Sequence, residues 1–196
     1  MTPETFSFFD VLEERTYPKD VLSVFTDEAA AYDLNKLSVE IDMTPSDEQT
    51  PEKIEEFKER AENLQNRIAK SKYTFYLTGV SDDKIEDATE VANSAFEDKK
   101  LQRYTATKTI EKYLPESEQL NYVKYFNAVV MALHIEQIVE HKSGRVMTSP
   151  APEQVLHFLN KAPMAAKEAL NAKVQSLRVK SGDYESGLDE GFLAKP

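Results

Sequence analysis

Histidine is the residue type with which this chain could bind a metal ion or move a proton near neutral pH. The sequence has three, His134, His141 and His157. The first two are seven residues apart and could share one face of a helix, but the residues between them match neither zinc-helix pattern, H-E-x-x-H or H-x-x-E-H. The spacing therefore favours packed or surface histidines over a metal or catalytic site.

Adjacent acidic residues are the second candidates for chemistry. They occur as Glu13-Glu14, Glu55-Glu56 and Asp82-Asp83. Catalytic carboxylates work as pairs whose environments separate their pKa values, and neighbours in sequence do not face each other on a helix. These pairs are therefore interpreted as solvated surface acids.

Other catalytic and cofactor motifs are missing from the sequence. There is no cysteine, so thiol nucleophiles and cysteine metal sites are excluded. With five glycines, the chain contains no glycine-rich phosphate loop, no G-x-S-x-G nucleophile turn and no calcium-binding loop of the EF-hand type. We therefore expect a binding or assembly protein that is not an enzyme and has no cofactor.

The net charge of −11 is concentrated near the N-terminus. Residues 1–60 contain 16 acidic and 6 basic residues, which leaves 19 and 18 for residues 61–196. Nucleic-acid binding is driven by basic residues that displace counterions from phosphates, so we expect no nucleic-acid partner. The acidic region is interpreted as a solvated face, with a docking surface for a basic partner as the alternative.

Two stretches are locally basic. Residues 99–104 combine Lys and Arg with Tyr104 and are interpreted as a polar link between helices, with a base-stacking surface as the alternative. The second stretch lies in the last helices, where we expect a solvated face first and a site for an acidic partner second. Its residues are Lys161, Lys167, Lys173, Arg178 and Lys180.

No stretch of the sequence is typical of secretion or membrane insertion. The first thirty residues carry several acids, and the longest apolar run, residues 128–133, is far shorter than the roughly 20 residues of a membrane span. We therefore expect no membrane partner and an intracellular, soluble protein.

Two segments have the composition of short strands, each followed by a helix. Val21–Thr26 and Tyr73–Val80 are rich in β-branched and aromatic residues. Asp27 and Ser81 then follow as predicted helix caps. We expect the two strands to pair and the two capped helices to lie on one side of a small sheet.

The remaining segments predict helices. From Pro51, an apolar stripe repeats at spacings of three and four residues. A longer apolar segment, residues 120–139, predicts a central helix that ends at Ser143-Gly144, and residues 153–160 and 164–179 predict two shorter helices. The fold class is therefore mainly α with a small β element (α+β), helix-rich with two short strands.

The same features suggest four segments along the chain. We predict an acidic strand–helix segment over 1–45, a linker and charged helix over 46–70, a strand and helical core over 71–182, and a flexible tail over 183–196.

Several of these segments resemble, in order, the tail assembly chaperones of long-tailed (siphovirus-like) bacteriophages that infect actinobacteria. The resemblance includes residues 17–21, the strand at 73–80, Val130–Ile135 with Ser143–Val146 after it, and Leu159–Pro163 before a helix. It ends with residues 188–193. The chain departs from the family pattern at Thr78, where Arg is common, and at Ala162, where Leu is common.

The resemblance implies a non-catalytic chaperone that binds the tape measure protein and promotes polymerisation of tail tube subunits. It also implies a place in the cytoplasm of the infected bacterium, absence from the mature virion and often a longer, frameshifted form. Association into a homo-oligomer is compatible with this role. The alternative is a structural virion protein, such as a head–tail connector or a capsid accessory protein.

A transient coat needs apolar grooves that bind an amphipathic helix. The predicted partner-binding residues lie along the central helix and the two shorter helices, with burial in the core as the competing interpretation. They are Tyr122, Phe126, Val130, Leu133, Leu156, Leu159 and Leu170.

Overall fold

The computed structural model describes residues 17–99 and 110–182, without the side chains of residues 82 and 179–182. It is a helix-rich α+β fold with one four-stranded sheet. The predicted linker at residues 100–104 and the predicted C-terminal tail lie outside the described residues. The division of the chain into four segments stays a prediction.

The sheet is antiparallel and follows the order of the strands along the chain. Its strands are β1 (Lys19–Phe25), β2 (Lys72–Thr78), β3 (Ile135–Glu140) and β4 (Arg145–Thr148). The predicted pairing of the first two strands is confirmed, with Leu22 opposite Phe75. The fold class is thus right in its coarse form, but the sheet has four strands and not two.

The helices are α1 (Glu28–Met43), α2 (Pro51–Lys70), α3 (Asp82–Phe96), α4 (Glu116–His134), α5 (Pro152–Lys161) and α6 (Met164–Gly182). Short 3-10 helices follow α3 and precede α4. Asp27 caps α1 as predicted, since its Oδ1 accepts a hydrogen bond from the Ala30 N–H at 2.8 Å. Ser81 occupies the equivalent position before α3 but makes no side-chain cap bond.

The predicted central helix is wrong beyond His134. The helix α4 ends at His134, and the chain continues directly into β3, where Ile138 pairs with Phe75 of β2. Residues 143 and 144 then belong to the turn of a β-hairpin, in which Gly144 has a φ of +67° that suits glycine. The β-branched residues of this segment fit a strand as well as a helix, and the free edge of β2 favoured the strand.

The main core lies between one face of the sheet and the helices α4, α5 and α6. Val24, Phe75 and Leu77 on the strands are buried against Ala128 of α4 and Leu170 of α6. We call this assembly the sheet core. The two capped helices were expected to lie together on one side of the sheet. Instead, α1 packs mainly against α2, and α3 packs against α4.

The helices α1 and α2 form an antiparallel pair inserted between β1 and β2, which we call the helical hairpin (residues 28–70). The Thr26 N–H donates to the Ser71 carbonyl at 3.2 Å and joins its two ends. The Arg67 guanidinium donates two hydrogen bonds, each 3.2 Å, to the carboxylate of Asp27. The hairpin therefore continues the β1–β2 pair away from the sheet core.

Gly79 holds the opposite end of the β1–β2 pair together. Its N–H donates to the Pro18 carbonyl at 2.8 Å, and a Cβ at this position would lie 2.9 Å from the Pro18 Cδ. Glycine is therefore required by close approach at this point, not by an unusual backbone angle.

Candidate functional site

Three of the seven predicted partner-binding residues lie inside the protein. Tyr122, Val130 and Leu170 are buried, with 3%, 6% and 0% of their surface exposed. Leu170 belongs to the sheet core, and the other two belong to smaller clusters between α3 and α4. A partner could reach these three only after the helices moved apart, so a role for them in binding stays a prediction.

Phe126 and Leu133 are partly buried beside those clusters. The Phe126 ring stacks on the Tyr122 ring, with centroids 6.4 Å apart and planes 9° from parallel. This stacking lies within α4, and the side chains of Phe126 and Leu133 both keep some accessible surface.

The other two predicted residues, Leu156 and Leu159, lie together at the surface. With Met131 they form the apolar part of a groove of about 490 Å³, which we call the three-helix groove because α4, α5 and α6 all contribute to it. Both leucines are only partly buried. The polar residues that line the groove are Lys124, Asn127, Asn160, Lys167, Glu168 and Asn171.

The helix α5 is positioned for this groove at its first turn. Pro152 occupies an early position where a proline suits a helix, and the side chain of Gln154 accepts a hydrogen bond from the Ala151 N–H at 2.8 Å. The Tyr125 hydroxyl of α4 donates to the Glu153 carboxylate at 2.7 Å. Burial raises the pKa of Tyr125 to about 12, and this hydrogen bond is the second cause of the shift. The hydroxyl therefore remains a donor at neutral pH.

Aromatic contacts orient the opposite side of α5. The Phe158 ring meets Tyr73 and Phe75 of β2 edge-on, with centroids 5.6 and 5.2 Å apart. Edge-to-face packing is a favoured arrangement of aromatic rings. Because Phe158 is directed at the sheet, Leu156 and Leu159 are left on the side that faces the groove.

Sequence reasoning missed a second apolar surface on the helical hairpin. Tyr32, Val39 and Met43 of α1 are 64%, 55% and 77% exposed. They lie beside a groove of about 760 Å³ that also includes Arg60 and Leu64 of α2. The signal was present in the sequence, because residues 32, 36, 39 and 43 repeat at spacings of four and three.

We call these four residues the hairpin stripe. A different set of α1 residues, which includes the buried Ala30 and Leu37, faces α2. The fourth member of the stripe is Lys36, whose ammonium group lies 5.7 Å from the centre of the Tyr32 ring. This helix therefore has two apolar stripes, of which one is used within the hairpin.

The outer face of the sheet is a third accessible surface. Val21, Phe25, Tyr76 and Val146 point away from the sheet core and are 40–55% exposed. Between them, the Thr74 hydroxyl shares hydrogen bonds with Ser23 and with the His141 Nε2, at 3.1 and 2.9 Å. The outer face of the sheet therefore has a polar centre with apolar residues around it.

The three histidines lie in different surroundings. His134 is buried, and its Nδ1 donates to the Thr78 carbonyl at 2.8 Å, whereas His141 and His157 are exposed. Burial lowers the pKa of His134 and favours its neutral form. Within the described residues, no group of three His, Asp or Glu side chains is arranged to hold a metal ion.

Comparison of the chain with protein-family models, with curated proteins and with solved structures found no match. In the part of the chain that the structure describes, no helix is long and apolar enough to span a membrane. The described residues form a helix-rich α+β fold whose surface includes two open grooves lined by both apolar and polar side chains.

Proposed function

We propose that this chain is a non-catalytic tail assembly chaperone of a long-tailed bacteriophage. In this role it binds amphipathic helices of the tape measure protein and promotes polymerisation of the tail tube around it. The observation that carries the proposal is the three-helix groove, in which Leu156 and Leu159 remain partly exposed between polar rims. The identity of the partner, the tape measure protein, is inferred from the resemblance of several sequence segments to this family.

The groove has the properties that a temporary coat needs. An amphipathic helix binds a groove through apolar side chains placed three and four residues apart, and α5 presents Leu156 and Leu159 at a spacing of three. The lysines and amides around them are hydrated in the free protein and release water at a cost when a partner binds. Such an interface is expected to be weak enough for tube subunits to displace the chaperone.

The proposal is tested by co-expression with the tape measure protein encoded in the same phage gene cluster. We expect the wild-type chain to keep the tape measure protein soluble and to co-purify with it. Leu159→Lys should reduce co-purification about tenfold or more, because an ammonium group would meet the apolar side of the client helix. Val146→Lys on the outer face of the sheet is the matched control and should bind normally.

Folding of both variants is checked by circular dichroism and thermal unfolding, since Leu159 is partly buried. An insoluble tape measure protein in the presence of the wild-type chain would overturn the proposal. So would recovery of the chain in purified virions bound to portal or capsid subunits, which would instead identify it as a structural virion protein.

A further inference from the structure

The hairpin stripe is an exposed surface with the pattern of a helix that binds a groove. Tyr32, Lys36, Val39 and Met43 follow the spacing i, i+4, i+7 and i+11, which places one side chain per helical turn along a single line. Among the described residues, none covers the exposed parts of Tyr32, Val39 and Met43. Helix-in-groove recognition uses this arrangement of anchors.

The hairpin that carries this stripe is acidic. Residues 28–70 contain eleven acidic and six basic residues, a net charge of −5. Asp33 lies beside the stripe and makes no ion pair with a described residue. A surface that receives the stripe should therefore be apolar at its centre and positive at its rim.

The three-helix groove meets both requirements. Leu156, Leu159 and Met131 form its apolar part, and Lys124 and Lys167 line it without an ion pair to any described residue. The three helices that form it, residues 116–134 and 152–182, contain six basic and four acidic residues, a net charge of +2. The one acidic lining residue, Glu168, matches the single base of the stripe, Lys36.

The stripe is long enough to fill the groove. It covers eleven helical steps from Tyr32 to Met43, about 16 Å at 1.5 Å per residue. The groove-lining residues of α4 run from Lys124 to Met131, seven steps or about 10 Å on the same scale. About two turns of the helix that carries the stripe can therefore occupy the groove.

Charge also argues against the other partners that this chain could offer the stripe, namely its two terminal segments and a second hairpin. Residues 1–16 and residues 183–196 each have a net charge of −3, the same sign as the hairpin. Two hairpins placed face to face would bring two net charges of −5 together. Among the described surfaces, the three-helix groove, lined by two lysines and one glutamate, has the charge and the apolar pattern that complement the stripe.

We propose that the hairpin stripe of one copy of this protein docks into the three-helix groove of a second copy. The contact joins two different surfaces, so it is heterologous, and the pair keeps one free groove on one copy and one free stripe on the other for further copies. Self-association of this kind covers the exposed apolar residues of the chaperone before it meets a client. Its link to a client rests on the proposed function, whereas the association itself does not.

The experiment measures the mass of the full-length chain by light scattering and sedimentation up to about 100 µM, a range that detects weak complexes. The stripe variant Val39→Lys with Met43→Lys places positive charge opposite the positive rim. The groove variant Lys124→Glu with Lys167→Glu places negative charge opposite the acidic hairpin. We expect wild-type protein to associate with rising concentration, and each variant alone to lose about tenfold or more in affinity.

Mixing the two variants distinguishes the heterologous contact from a symmetric one. The groove variant still has a native stripe and the stripe variant still has a native groove, so their mixture should form a complex that neither forms alone. A symmetric contact between hairpins would instead leave the groove variant fully associated. That result would overturn the proposal, and so would a wild-type chain that stays monomeric because its own termini cover either surface.

Matched controls carry the same charge changes at other places. Val21→Lys with Val146→Lys alters two apolar residues that are 52% and 55% exposed on the outer face of the sheet. Lys112→Glu with Lys142→Glu reverses two exposed lysines away from the groove. Both control proteins should associate like wild type, and a loss of association in either would show that net charge alone drives it.

The stripe variant also separates this proposal from the proposed function. It should lose self-association and still bind the tape measure protein, because its groove is unchanged. A wild-type chain that self-associates but fails to bind the tape measure protein would refute only the chaperone function. A chain that binds the client but remains monomeric would refute only the head-to-tail contact.

Discussion

The helical hairpin and the sheet core use the same helical periodicity with different results. In the hairpin, three residues are buried over 43 positions, namely Ala30, Leu37 and Phe57. The helix α6 of the sheet core buries four apolar residues among the 15 positions whose side chains the structure describes, 164–178. The difference arises because α6 packs against both the sheet, at β1, and the helix α4, whereas α1 packs mainly against α2.

Polar contacts follow the same division. The hairpin is held along its surface by ion pairs, such as the two hydrogen bonds from the Arg60 guanidinium to Glu40 at 2.8 and 3.1 Å. This pair lowers the pKa of Glu40 but is exposed to solvent. We therefore expect the hairpin to open separately from the sheet core, which leaves its outer stripe available to a partner.

The largest expected effect of a substitution is in the sheet core. Leu170→Ala removes a fully buried side chain and should lower the free energy of unfolding by about 2–5 kcal/mol, through lost burial and a cavity. Denaturant unfolding measures this loss. Leu120→Ala is the matched control, since Leu120 is 61% exposed, and an equal loss at both sites would contradict the assigned core.

A leucine-to-alanine substitution in the helical hairpin should destabilise the hairpin and leave the sheet core folded. Leu37→Ala, at a residue only 1% exposed, should destabilise the α1–α2 contact by about 2 kcal/mol, the lower end of the range for such substitutions. Hydrogen exchange should accelerate over residues 28–70 and remain slow in β2 and α6. Val39→Ala is the control, and a uniform acceleration across the protein would show that the hairpin and the sheet core unfold together.

The next effect depends on pH and tests the sheet core. Burial lowers the pKa of His134 in the folded protein, and its Nε2 has no hydrogen-bond partner among the described residues. The unfolded chain therefore binds the proton more readily, and nearby Arg178 adds to the effect. The contribution of His134 to the free energy of unfolding should be complete above the ordinary pKa of histidine, about 6.5. It should decrease as the pH drops from there towards the lowered pKa of the folded protein.

Thermal unfolding between neutral and mildly acidic pH measures this dependence. His134→Asn should flatten the profile, because an amide can donate to the Thr78 carbonyl but does not titrate. His157→Asn, at an exposed position, is the control and should leave the profile unchanged. An identical acid response in wild type and His134→Asn would assign the loss to carboxylates instead.

The smallest effect is expected at the base of the hairpin. Asp27 caps α1 and accepts both hydrogen bonds from Arg67, so Asp27→Ala should cost about 1 kcal/mol locally. Hydrogen exchange of the first turn of α1 measures it. Arg67→Gln removes only the ion pair and should cost less, and the reverse order would show that the ion pair matters more than the cap.

The groove could be predicted only in part from the sequence. Leu156 and Leu159 follow from the amphipathic pattern of α5, but the apolar pattern of α6 likewise marks Leu170, which is buried. Periodicity identifies apolar positions and does not say which of them another element covers. The hairpin stripe was missed for the complementary reason, since Tyr32 and Met43 are apolar positions that the described fold leaves open.

The sequence alone determined the local structure wherever one periodicity and one cap agreed. The pairing of β1 with β2, the cap at Asp27 and the apolar stripe of α2 were predictable, because each depends on residues close together in the chain or on strongly strand-forming segments. The tertiary structure decided the rest. Residues 135–140 fit both a helix and a strand, and β2 offered them hydrogen bonds that only the folded sheet could supply.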